Sequence, residues 1–121
     1  MEDRLQFVNY KGKRILVEDF SNIKDENKLV DLMQKAVSLV HSQPKGSALV
    51  LVDMTNAHYG SLASQASKEA SASNTPYIRA SALVGIRGVM DIIVKSINRF
   101  TGRTLMTFTS REEAMEWLIK Q

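Results

Sequence analysis

Between Asp53 and Ser64 the sequence gathers groups able to do chemistry: Asp53, Thr55, His58, Tyr59, Ser61 and Ser64. An aspartate, a histidine and a serine are the parts of a nucleophilic triad. Triads are recognised by geometry rather than by proximity in sequence. No Gly-x-Ser-x-Gly elbow surrounds Ser61 to expose its hydroxyl, so hydrolase chemistry is not expected. Asp53, just past an apolar run, offers either a charged contact for a partner or a cap for the loop that follows. Ser61 beside Gly60 reads as a helix N-cap, a role usually worth ~1 kcal/mol. A phosphate there would meet free N–H groups and the positive end of the helix dipole. Tyr59 reads as an aromatic anchor for a partner or as a lid over the last layer of the core.

Other constellations are weaker. Gly85-x-x-Gly88 lacks a third glycine at phosphate-cradle spacing, and no Gly-Lys-Ser/Thr occurs, so it reads as a tight turn. Arg87, Lys95 and Arg99 form a secondary basic surface on a helix, and Arg103 continues their direction past its end. An acidic partner would dock there; the plainer account is a solvated face with an Asp91–Lys95 pair at i,i+4. His41 and His58 are the only histidines and lack ligand spacing, so no metal or other cofactor is expected. A phosphoacceptor role for Asp53 would need an acidic pair after an earlier strand and a lysine after the last one. Asp19 is followed by Phe20, and Thr109-Ser110-Arg111 holds no lysine.

These residues require a frame. Leu5 to Tyr10 and Arg14 to Phe20 are β-like runs around Lys11-Gly12-Lys13, a tight hairpin. Ile23 to His41 has its apolar residues at helical spacing and ends before Pro44 and Gly46. Ala48-Leu-Val-Leu-Val52 is apolar throughout, as a strand covered on both faces must be. Ser61 to about Asn74 predicts a helix whose apolar face, Leu62, Ala63, Ala66 and Ala70, is mostly small. Such side chains bury little area, so this helix is expected to be loosely held. Ile78 to Ile86 is the next strand, and Arg87 to Thr101 the next helix, with Val89, Met90, Ile93, Ile97 and Phe100 as its expected buried stripe. Thr104 to Thr109 is the last strand, and Ser110-Arg-Glu-Glu113 is a capping box that starts the final helix. Alternating strands and helices with short connections imply an α/β fold with a largely parallel sheet, one antiparallel edge strand and about four helices.

A chain of 121 residues suits one domain. Without cysteine it has neither disulfides nor thiolate metal sites. No apolar run approaches the ~20 residues of a membrane span, so a cytoplasmic location is expected. A net charge of +3 is too small an excess to suggest nucleic acid as partner.

The Leu51-Val-Asp53 strand end, the small-residue helix and Arg79-Ala-Ser-Ala-Leu-Val-Gly-Ile-Arg-Gly88 together resemble the SpoIIAA-like branch of the STAS superfamily. Ile97-Asn-Arg-Phe-Thr-Gly-Arg103 and Phe108-Thr-Ser-Arg-Glu-Glu-Ala-Met-Glu-Trp-Leu118 are similar to that branch too. The resemblance implies a β–α superhelix and a non-enzymatic regulatory domain that binds a protein partner. Its best-known members, anti-sigma factor antagonists, are phosphorylated on a serine at the start of the second helix. Here Ser61 holds a similar place, but no Ser-Ser-Gly accompanies it. Related lipid-binding folds of the CRAL-TRIO type use a deep apolar cavity, for which so short a chain leaves little room. The alternative role is therefore a small-ligand or lipid carrier, with the ligand between the sheet and the Ser/Ala-rich helix.

Overall fold

In the computed structural model, which describes residues 3–121, the chain turns first at Lys11 and Gly12. Both have positive φ, 50° and 86°, the backbone that lets a two-residue turn match the twist of the strands it joins. It joins β1 (Leu5–Tyr10) to β2 (Lys13–Asp19), which pair antiparallel with Tyr10 opposite Lys13. Then follow α1 (Glu26–His41), β3 (Ala48–Asp53), α2 (Ser61–Asn74), β4 (Ile78–Val84), α3 (Val89–Thr101), β5 (Leu105–Phe108) and α4 (Arg111–Leu118). The strands lie in the order β1-β2-β3-β4-β5, and every pair after the hairpin is parallel. The α/β architecture read from the alternation, with one antiparallel edge and four helices, is the one found.

The layering follows from this order. Each of α1, α2 and α3 connects a strand to its next neighbour, always stepping the same way across the sheet. Crossovers of one hand stepping one way put all three helices on one face. Only α4, after the last strand, covers the other face. There Ala114 and Leu118 pack on Ile15, Val17, Leu49, Leu51, Ala80, Ala82 and Val84. Strand residues alternate between faces, so Leu16, Glu18 and Phe20, with Val50, Val52, Ser81, Leu83 and Leu105, point toward the three-helix side. Leu29, Leu32, Met33 and Ala36 of α1 and Ile93, Val94 and Ile97 of α3 pack there. α2 adds only Ala63 to the fully buried core.

Several local expectations are revised. β4 stops at Val84 because Gly85 turns with φ of 79°, and α3 begins at Val89 after Gly88 (φ 55°), leaving Arg87 in the turn. Phe100, expected in the buried stripe of α3, is 89% exposed, and Val89 is exposed with Ile92. Ile93 and Ile97 of the expected stripe are buried, joined by Val94, so the apolar stripe of the helix is wider than the face the sheet can cover. Ser61 is not the cap of α2: Gly60 holds the N-cap position with no side-chain cap of its own. The Glu26 carboxylate of α1 accepts from the Ala63 N–H at 2.9 Å in its place. A Cβ on Gly60 would lie 2.7 Å from that carboxylate, so the missing side chain makes room for the cap.

Candidate functional site

Of the residues singled out between Asp53 and Ser64, Asp53 and Thr55 are joined to each other. Asp53 is buried at the end of β3. Its Oδ1 accepts from the N–H and hydroxyl of Thr55 (2.9 and 2.6 Å), and its Oδ2 accepts from Arg111 Nε at 2.7 Å. Arg111 also pairs with Asp19 at 3.0 Å, so one guanidinium joins the ends of β2 and β3 to the start of α4. Burial works to raise the Asp19 pKa, but the Ser21 hydroxyl and N–H, then Arg111 and Arg4, hold it below its usual value. Thr55 also fills the space beside Gly85, where a Cβ would come within 2.5 Å of it. The backbone N–H of His58 donates to the Ile23 carbonyl at 2.8 Å, while the residue itself is exposed. Ser61 is exposed, and the Glu26 carboxylate already occupies the helix start beside it. Ser64 is half-buried, and its N–H donates to the Gly60 carbonyl. Asp53 is thus engaged by Thr55 and Arg111, and no hydrogen bond joins it to His58 or Ser61 among the described residues.

On α3, Lys95 pairs with Asp91 at 2.9 Å, both largely solvated, a contact worth a few tenths of a kcal/mol (~0.3–0.5). Arg87 and Arg99 are exposed. Arg103 does not continue their outward direction. Gly102, left-handed at φ 72°, reverses the chain at the helix end, and Arg103 turns beneath α2. Its two terminal nitrogens donate to the Ser71 carbonyl (3.0 Å) and the Ser81 hydroxyl (2.6 Å).

That inward arginine lines a cavity of about 110 Å³ between the sheet and α1, α2 and α3. One water needs roughly 10–15 Å³ of such space, so the cavity is several times that size. Its origin is visible in the sequence of α2. Ser67, Ala70, Ser71 and Asn74 face the sheet, and none is long enough to fill the gap down to the strands. Met33 and Ala36 of α1, Met90, Ile93, Val94 and Ile97 of α3, and Phe20, Val50, Val52, Met54, Leu83 and Leu105 supply apolar walls. Tyr59 closes part of it, its hydroxyl hydrogen-bonded to Ser67. Burial pushes the Tyr59 pKa up, against the opposing pull of that bond.

Besides the hydroxyls of Tyr59, Ser67, Ser71 and Ser81, three polar groups break this apolar lining. Glu18, 7% exposed, projects from near the C-terminal end of β2 and has no hydrogen-bond partner among the described residues. Burial pushes its pKa up to about 8, with Arg103 pulling the other way, so it is largely protonated at neutral pH. Arg103 is itself lowered by burial, opposed by Glu18. Asn74 has a buried Oδ1 without a partner. Unmet buried polar groups are uncommon and ask for a reason.

Neither Glu18 nor Ser81 was singled out from the sequence, although the signal was present. In Ile15-Leu-Val-Glu-Asp-Phe20, alternation puts Glu18 on the same face as Leu16 and Phe20, both core residues. A carboxylate between two core positions is a polar group facing inward.

No family model matches this sequence, and no curated protein does. Among solved structures, an uncharacterized protein of the DUF3478 family with a SpoIIAA-like fold, from Shewanella loihica PV-4, superposes with a TM-score of 0.61. The match covers 94% of this chain and 91% of that one at 14% identity, which establishes a common fold and no more.

Proposed function

We propose that this chain of SpoIIAA-like fold is a small-ligand-binding domain that holds an apolar body between its sheet and α2. What carries the reading is the cavity: apolar walls with a few inward polar groups are the usual make-up of a ligand site. It favours the carrier alternative over regulation through Ser61, where the Glu26 carboxylate would repel an added phosphate. In this reading the domain binds its ligand without transforming it. No helix among the described residues is long and apolar enough to cross a membrane.

The test is uptake of an environment-sensitive apolar dye by the wild-type protein and by Ala70→Leu, which fills the cavity from α2. Wild type should brighten the dye and the variant should not, with far-UV dichroism the same for both. Equal uptake by the two would place the dye on the surface and refute the reading. Native mass spectrometry of the protein from its own cells should show a retained small molecule.

A second reading, contact with a protein partner, is favoured by the exposed apolar side chains Val89, Ile92 and Phe100 along α3 beside Arg99. Phe100→Ser should then abolish partner capture while leaving dye uptake intact.

A further inference from the structure

The polar groups in the cavity are distributed unevenly. Ser81 and Leu105 are paired across β4 and β5, and Arg103 reaches Ser81 from the turn before β5. Glu18 lies one alternation further along the sheet, level with Val52 and Leu83. Phe20 and Met54 follow at the strand ends, where Tyr59, Ile86 and Met90 also line the space. The cavity therefore runs from a polar floor to an apolar far end.

Arg103 is a half-buried cation whose bonded partners, the Ser71 carbonyl and the Ser81 hydroxyl, are both neutral. A guanidinium has further N–H donors beyond the two in use. Glu18 is the one carboxyl group on the lining among the described residues, yet it forms no salt bridge with Arg103. The two groups thus share the cavity and sense each other through space, without touching. A half-buried cation that no carboxylate among the described residues contacts is costly to hold.

We infer that the cavity takes a small amphiphile with a single carboxylate head, the head lying between the Arg103 guanidinium and the Glu18 carboxyl and the apolar body running toward Phe20, Met54 and Met90. This rests on the ligand-binding reading above. Arg103 supplies the charge and the planar donors that suit a carboxylate. Glu18, carrying its proton, supplies an O–H donor to the other head oxygen. A doubly charged phosphate monoester would want a second cation, and no lysine, histidine or other arginine lines the cavity among the described residues. The remaining titratable group on the lining is Tyr59; α1, α2 and α3 contribute none. Loss of the Glu18 proton, centred at about pH 8, would put a second negative charge beside the head and weaken its binding.

Isothermal titration of the full chain with octanoate, octanol and octyl phosphate tests this. At about pH 6.5, octanoate should bind at least about tenfold tighter than octanol, and tighter than octyl phosphate. Arg103→Gln should remove the octanoate advantage, bringing octanoate level with octanol in the same variant. Raising the pH to about 9 should weaken octanoate several-fold in the wild type. Glu18→Gln, which keeps an N–H donor but cannot ionise, should show a flat profile, and this holds the test open should Arg103→Gln fail to fold. Octanol equal to octanoate, or octyl phosphate tighter than both, would overturn the carboxylate assignment while the cavity reading stood. Absence of dye and octanoate binding together would remove the cavity reading as well.

Discussion

Glu18 illustrates how one side chain reveals a conflict between fold and function. At its place on β2 a leucine would pack, and the carboxyl group instead faces an apolar space with no protein partner. Its folded pKa of about 8 lies well above the value of a free carboxyl group. The unfolded chain therefore releases this proton at lower pH than the folded one. Stability contributed by the tighter folded-state binding is fully present below the unfolded value near 4.5 and declines as pH rises toward 8. Glu18→Gln should accordingly unfold at higher temperature than wild type at pH 7–8 and match it at pH 4. The difference should be on the order of 1–3 kcal/mol, read from thermal melts across that range. A constant offset at all pH values would show that Glu18 is not the titrating group.

α2 shows the same logic over fourteen residues. Its Ser/Ala composition leaves Ala63 as its single fully buried residue, and the void beneath its second half is the cavity. A helix with so little apolar area to bury depends on its ends. Its start is held by a group from another helix, the Glu26 carboxylate on the Ala63 N–H. Glu26→Ala should lower stability by about 1 kcal/mol, the usual worth of a cap. Hydrogen exchange should then speed up in the first turn of α2 well before it does in β3. Gly60→Ala should act in the same direction, because its Cβ would displace that carboxylate. In the wild type, a bound ligand should slow exchange along Ser67 to Asn74, the turns that overlie the cavity.

Across the molecule, three crossovers on one face leave the other to α4 alone, so the joint between α4 and the sheet carries disproportionate weight. Arg111 makes that joint, donating to Asp53 and pairing with Asp19. Removing it would leave the buried Asp53 carboxylate with only the Thr55 donors. Arg111→Ala should destabilise by about 1–3 kcal/mol, less than a fully buried pair because Arg111 is itself partly solvated. Asp19, held below its usual pKa, contributes stability above the normal carboxylate range that is lost as pH falls through its folded value. Without Arg111 that value should rise, and acid unfolding should begin at higher pH than in wild type, a shift visible in a denaturation series by tryptophan fluorescence.

The succession of elements was legible from local chemistry, because turn glycines, a capping box and apolar periodicity act within a few residues of chain. Ser110 does cap α4 through the Glu113 N–H, and the small face of α2 was evident from Ala63, Ala66 and Ala70. Where a cap would come from was not legible. Ser61 was the better local candidate, and a glutamate from α1, far away in sequence, took the role. The cavity was equally out of reach, since a void is a property of facing surfaces: α2, β2 and the turn carrying Arg103 meet only once the crossovers have stacked. Short-range forces name the helices and strands. Which charged groups end up facing each other inside depends on packing between segments that no local pattern connects.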